Sequence, residues 1–502
     1  MFQSCNQMEE QLNDLEKKWS EMLKNVTAPN IDEIDKQCIY RVPPNIRKHN
    51  PKAYTPQIVS IGPYHHNGIK PTGLKLKYVK AFLDRKKLSE KVLFAKIKEI
   101  CKNTNIIRSC YAETIECNDV DLLTMIFVDA FFIIELFLRW REPHVWEEKD
   151  HIMLKPWMRL GIKHDLMLLE NQLPFSVLEQ LYNLTNEPLP NTNEPLLGTT
   201  NESHNGTTNE SCRGTTNESL RVTPSFFKMC VNCIGTGTNC FNCMRTKEPL
   251  IGTNETLTGT NEPNFRQICF NCLKSTSFES ECPAESPKHF TDLLRSSIIS
   301  LSKIDHGNQK EREEDIKHVY SASQLMEAGL EFKVSPNKSF LDLELSEDDR
   351  VLSMPILNIN ASTQLYFKNM IAYERCHHSA TKIITQYVAI LYFLIKTEKD
   401  LNILVDKKII VNWSGDAENV VTIINNLGSS MSMPDFIPYY CSICTRLNNF
   451  YENPLNKYKA IFIHDYFNTP WKKASTIAAI VLLFLTFIQT VCSIMSVVQS
   501  KK

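Results

Sequence analysis

Three pairs of cysteines have a spacing that chemistry uses: Cys230 and Cys233, Cys240 and Cys243, Cys269 and Cys272. Each pair is separated by two residues, and two such pairs can give four thiolates to one tetrahedral zinc ion. Zinc is therefore the one cofactor these residue types bring forward, with the six cysteines as its ligands and Cys212 and Cys282 nearby. Duplication is the simpler account. All three pairs read Cys-[Val/Phe]-Asn-Cys inside a repeat-rich stretch, and only six residues separate the first two, fewer than zinc ribbons commonly use.

Histidines form two neighbouring pairs, His65-His66 and His377-His378. Glu374 and His378 stand one helical turn apart and can share a face. Cys376 next to His377 suggests a thiol nucleophile and its base, but adjacent residues on a helix point apart, so the two cannot make that contact. Asp129 and Glu170 are acids in apolar surroundings. Glu170 is expected to be buried and paired with Arg139 or Arg159, in a structural role. The chain has no HExxH and no Gly-x-Ser-x-Gly, and the turn at 68–75 lacks the Gly-Lys-Ser/Thr ending of a phosphate loop. No catalytic residue is assigned. The enzyme reading is an unrecognised hydrolase using His or Cys with Asp129 or Glu170; the histidines otherwise read as packing or surface groups.

The elements that would position these residues are mainly helical. Met8, Leu12, Leu15, Trp19, Met22 and Val26 recur at helical spacing within residues 1–38, a stripe that either docks on its own domain or supports self-association. Residues 39–66 hold five prolines and read as an extended lead-in with short strands at 39–42 and 58–61. A basic helix is expected after Leu74, a solvated face or a patch for anionic lipid. An apolar helix at 122–140 should be the central core helix, and 166–182 a core helix pair broken by Pro174.

From residue 183 to 287 the composition changes. Gly198, Gly206 and Gly214 each open an eight-residue unit such as GTTNESHN, with looser copies around them. Solenoid repeats need apolar residues in every unit, and these have almost none, so the stretch reads as a largely disordered insert. Its sequons at Asn201, Asn205, Asn209, Asn217 and Asn254 matter only in a secretory lumen. The second part of the body is expected at 288–470: a helix at 288–299, a β-hairpin at 341–345 and 351–359 with its turn at 346–349, then helices at 363–376 and 379–397, two shorter ones beginning at Asp400 and Asp416, and an amphipathic one at 457–467.

The chain closes on 25 residues, 474–498, without a charge. A helix of that length spans roughly 37 Å, enough to cross a bilayer core with some tilt. Trp471 marks the interface. Residues 1–20 contain no apolar secretory signal, so the expected arrangement is a single-pass tail anchor with the body in the cytosol. Lys457, Lys459, Lys472 and Lys473 precede the span and Lys501 and Lys502 follow it, which agrees with that orientation. A net charge of −1 supplies no field to recruit nucleic acid, so the expected partners are the lipid bilayer and an unidentified protein.

Seven phrases, in order, carry a family resemblance: IYRVPPNIRKHNPKAYTPQIVSIGPYHH, FVDAFFIIELFLRW, DLMLLENQLPFSVLEQLY, SASQLMEAGLEFK, MPILNINASTQLYFKNMIAYERCHH, LIKTEKDLNILVDKKIIVNW and DYFNTPWKKASTIAAIVLLFLTFIQTVCSI. From residue 39 onward the chain resembles the plant family defined by domain of unknown function 247, a group of uncharacterised UPF0481-type membrane proteins. The resemblance implies a plant origin, a largely helical body and a C-terminal span. It carries no catalytic residues; some members are linked to self-incompatibility recognition in grasses. The octads and cysteine pairs depart from the family pattern. The resulting expectation is a mainly α body with a small β-hairpin and one C-terminal transmembrane helix, acting as a non-enzymatic interaction, signalling or recognition protein.

Overall fold

Helices dominate the body, as the apolar spacing predicts. The computed structural model describes residues 16–18, 20–21, 36–66, 72–146, 150–186, 264–304, 316–377, 381–413, 415–429, 431, 436–467 and 470–500. The chain divides into two units, 1–187 with 263–502, and 188–262. The second unit lies outside the described residues, and so do the octads, the sequons, Cys212, Cys230, Cys233, Cys240 and Cys243. The same holds for His378 and the six residues of the N-terminal stripe.

In chain order the first half of the body contains α1 (Thr72–Lys86), α2 (Glu90–Cys101), α3 (Thr104–Ser109), α4 (Asp119–Arg141), α5 (Pro156–Leu166), α6 (Phe175–Asn186) and α7 (Phe265–Leu273). The predicted central helix is α4. Asn118 caps it by accepting from the Asp121 amide at 2.8 Å, acids fill its first turn, and Arg139 and Arg141 complement the dipole at its end. Its middle is buried on every side and apolar except for Asp129 and Glu135, so it must be surrounded. Phe82 of α1 stacks on Phe131 at 5.1 Å, Tyr78 meets Phe132 edge-on at 5.2 Å, and Phe290 meets Phe137 at 5.6 Å.

The second half contains α8 (Phe290–Ile299), α9 (Ala322–Glu327), α10 (Thr363–Cys376), α11 (Ile383–Leu394), α12 (Glu398–Asp406), α13 (Ala417–Ser429), α14 (Pro438–Glu452), α15 (Pro454–Phe467) and α16 (Pro470–Ser500). The hairpin is present: β2 (Glu344–Leu345) runs antiparallel to β3 (Val351–Met354), with Leu345 opposite Leu352. It sits inside a larger β part. β1 (Glu331–Val334) pairs in parallel with β3, and β4 (Leu357–Ile359) pairs in parallel with β5 (Ile410–Asn412). The class is mainly α with a small β component, as expected.

Three local expectations need correction. Residues 39–42 and 58–61 are not strands; a single parallel bridge joins Ile39 to Tyr111, and side chains take most of the other backbone donors. The helix pair expected at 166–182 is one helix end, a buried irregular loop at 167–174, then α6. The body also includes residues 264–287, which the sequence assigns to the insert. There α7 buries Phe265 against Tyr182 of α6, with ring centroids 4.9 Å apart.

Along α16, residues Lys473–Ser496 form a 24-residue apolar stretch with none of its apolar window buried. Leu482, Leu483 and Phe484 are 64%, 71% and 65% exposed, the reverse of a core helix.

Candidate functional site

The lead-in at 38–66 has no ladder, so its amides need other acceptors, and buried acids supply them. Asp165, at the end of α5, accepts from the amides of Gln57, Ile58 and Val59 at 2.8, 2.6 and 2.8 Å. Asn171 accepts from Ile61 at 2.6 Å and donates to the Val59 carbonyl at 3.0 Å. Asp129 of α4 pairs with Lys75 of α1 and accepts from the Gly62 amide at 2.9 Å. Gly62 has φ +70°, and a Cβ there would lie 2.5 Å from the Gln172 carbonyl oxygen, so only glycine fits. Burial pushes the Asp129 and Asp165 carboxyls up, even against the Lys75 ammonium and the amide donors respectively.

Glu170 performs the same task where the lead-in turns. Its Oε1 accepts from the Val42 amide at 2.8 Å and from Arg47 Nη1 at 2.6 Å. Its Oε2 lies 3.0 Å from His65 Nε2, close enough for an ion pair but out of line for a hydrogen bond. Burial works to raise its carboxyl, yet His65, the Val42 amide and Arg47 together hold it below the ordinary value. The expected partners are corrected: Arg139 instead bonds Glu135 at 2.7 Å and Asp150, and its guanidinium lies over the rings of Tyr78 and Trp146.

These groups face an open cleft of about 420 Å³ lined by Arg41, Val42, Pro43, Pro44, Arg47, His65, Glu113 and Glu170. Arg41 donates to Glu113 at 2.7 Å and covers the Tyr64 ring at 4.6 Å. Pro43 is extended, and Pro44 opens the single helical turn Pro44–Arg47 that carries Arg47. Both guanidiniums are already matched to carboxylates, so the cleft offers polar groups of both signs rather than a pure anion site. A second open cleft, about 480 Å³, lies among Lys303, Asp342, Glu344, Tyr439 and Arg446.

Other sequence candidates are placed differently. Glu374 is buried and clamps α10 to its neighbours, accepting from Arg295 Nε at 2.9 Å, the Thr385 amide at 2.8 Å and the Thr385 hydroxyl at 2.6 Å. His377 meets the Tyr40 hydroxyl at 2.8 Å and stacks on Tyr373. Burial pushes the Cys376 thiol up to about 11, the wrong direction for a nucleophile. Cys269 is fully buried on α7, and burial raises the half-buried Cys272 to about 12. Among the described residues no group of three or more His, Cys, Asp or Glu is placed to hold a metal ion. The cleft itself was missed. Its members are spread from 41 to 170, and a periodicity reading takes Glu170-Asn171-Gln172 as part of a helix.

A helical body whose buried acids hold an irregular N-terminal segment, followed by one apolar helix of membrane length, defines the class. The chain belongs to the DUF247 family, described as plant protein of unknown function, whose pattern matches residues 39–485. It is 27% identical to the UPF0481 protein At3g47200 of Arabidopsis thaliana over 475 residues, 93% of this chain and 88% of that protein. It is 20% identical to the putative UPF0481 protein At3g02645 of the same plant over 481 residues, 90% of this chain and 89% of that protein. No solved structure matches.

Proposed function

We propose that this plant protein is a single-pass, membrane-held interaction protein that does not itself catalyse a reaction. The observation that carries this reading is the uncovered apolar helix, Lys473–Ser496. At 1.5 Å per residue it is about 36 Å long, against a hydrocarbon core of roughly 30 Å. An exposed apolar surface of that size needs lipid or protein around it. Lys457, Lys459, Lys472 and Lys473 on the body side favour a cytosolic body.

The buried chemistry supports the non-catalytic part. Asp129, Asp165, Glu170 and Glu374 each bind backbone amides or a fixed cation, which leaves them as fasteners rather than proton shuttles. The cleft of Arg41, Arg47, His65, Glu113 and Glu170 suits a partner loop bearing both signs of charge.

Alkaline carbonate extraction and protease protection test the placement. The full chain is expected to stay with the membrane pellet, with its body digested in sealed microsomes. Leu483→Arg, worth about 3 kcal/mol against insertion at mid-span, is expected to release part of it. Quantitative release of the unmodified chain by carbonate would overturn the anchor; a protected, glycosylated body would reverse its side. Proximity labelling from the body, compared with an Arg41→Glu variant, tests the cleft: an identical neighbour set would remove it as the docking site.

A further inference from the structure

The bridge between Ile39 and Tyr111 places two cysteines side by side. Cys110 O accepts from the amides of both Cys38 and Ile39 at 2.9 Å, and the Ala112 amide returns a bond to Ile39 O at 3.0 Å. In that parallel register Cys38 lies opposite Cys110, and neighbouring strands run about 4.8 Å apart. A disulfide accepts Cα separations of roughly 4.4–6.8 Å. The Cys110 thiol donates to the Ile106 carbonyl at 3.3 Å. Cys38 is buried, 4% exposed, and Cys110 is half-buried. One sulfur is thus reachable from outside and the other waits behind it.

We propose that Cys38 and Cys110 form a reversible disulfide when hydrogen peroxide oxidises Cys110. The Cys110 thiolate attacks one peroxide oxygen, the O–O bond breaks, and the departing hydroxide takes a proton to leave as water, giving a sulfenic acid. The Cys38 sulfur then attacks the Cys110 sulfur, the S–O bond breaks, and hydroxide departs with the Cys38 proton as a second water. Two thiols lose two electrons and two protons; one peroxide becomes two waters. The neighbouring Cys38 thiol lowers the Cys110 thiol against burial, with Lys288 assisting, while Cys110 and burial push Cys38 up. That split suits an attacking thiolate with a resolving thiol behind it.

The link would fasten the start of the lead-in to the segment that carries Glu113, the partner of Arg41 across the cleft wall. It goes beyond the proposed function and holds whichever partner the cleft takes.

Peptide mapping of the detergent-solubilised full chain decides it. Cleavage after Lys36, Arg41, Arg108 and Glu113 releases residues 37–41 and 109–113, each with one cysteine. After peroxide and alkylation under denaturing conditions, the alkylated forms of both peptides are expected to vanish together. One linked species should replace them, lighter than the two thiol peptides by two hydrogens and reversed by dithiothreitol. In Cys38→Ser, Cys110 is expected to run on to sulfinic and sulfonic acid. If that variant does not fold, the wild-type map decides alone. Cys38 remaining an alkylatable thiol while Cys110 is oxidised, or Cys110 joining Cys101 or Cys117, would overturn the proposal.

Discussion

Glu170 and His289 show how single buried groups set the behaviour of this body. Glu170 is held below its ordinary value of 4.5, so its contribution to stability is present above that pH and is lost as pH falls through the lower folded value. His289 caps α8, its Nδ1 accepting from the Asp292 amide at 3.3 Å, and burial pushes it down to about 4 from 6.5. Its neutral form is what the fold needs, since protonation at Nδ1 removes the cap acceptor. Its contribution is complete above pH 6.5 and disappears as pH falls towards 4, on the order of 3 kcal/mol across that window. Denaturant midpoints of the solubilised protein are therefore expected to fall on acidification from pH 7 to 4. His289→Asn, which keeps a capping acceptor and cannot titrate, should flatten that slope. An unchanged slope would show that His289 is not the group responsible.

At the scale of elements, α7 marks where the body takes up the chain again. Tyr182 of α6 and Phe265 of α7 stack at 4.9 Å, so the two ends flanking residues 188–262 are close. Replacing 188–262 by a flexible linker of about ten residues, with a reach of roughly 17 Å, is expected to leave the unfolding midpoint where it was. Extending the deletion to residue 273 removes Phe265, Ile268, Cys269 and Leu273 from the core, each buried, and should collapse the fold. Circular dichroism melts of the two deletions check this; equal losses would mean that 188–262 supports the body. The sequence signalled α4 clearly, because an apolar run of that length has few other solutions, and α10 begins and ends where its pattern says. It concealed α7, whose Cys-x-x-Cys phrase looks like one more copy of the preceding duplication. It also concealed the 167–174 loop. Leu-Met-Leu-Leu-Glu-Asn-Gln-Leu has helical composition, and only the distant amides of Val42 and Ile61 explain why Glu170 and Asn171 leave the helix. β1 and β5 are too short for alternation to show, and the arm expected at 351–359 divides into β3 and β4, which join different sheets.

For the molecule as a whole, the long apolar helix was more legible than the cleft. A span is written in consecutive residues, whereas the cleft is assembled from positions that meet only after folding. Asn369 is an extreme case: it donates to the Ala53 carbonyl at 2.9 Å and accepts from the Leu169 amide at 3.0 Å, fastening the lead-in to α10. This has a consequence for synthesis. The lead-in leaves the ribosome early, but its last fastening, the Tyr40 hydroxyl to His377, is 337 residues away. At about 5–20 residues per second, it waits roughly 17–67 s in an unfinished state. Arrested nascent chains are expected to stay protease-sensitive near Arg41 and Arg47 when stalled before residue 377 has emerged, and to become resistant afterwards. Early resistance would mean that the first half closes on its own. The apolar helix follows about a hundred residues behind that final fastening, so body and helix are completed almost together, and a chaperone that covers the waiting lead-in would still be present when that exposed apolar surface needs cover of its own.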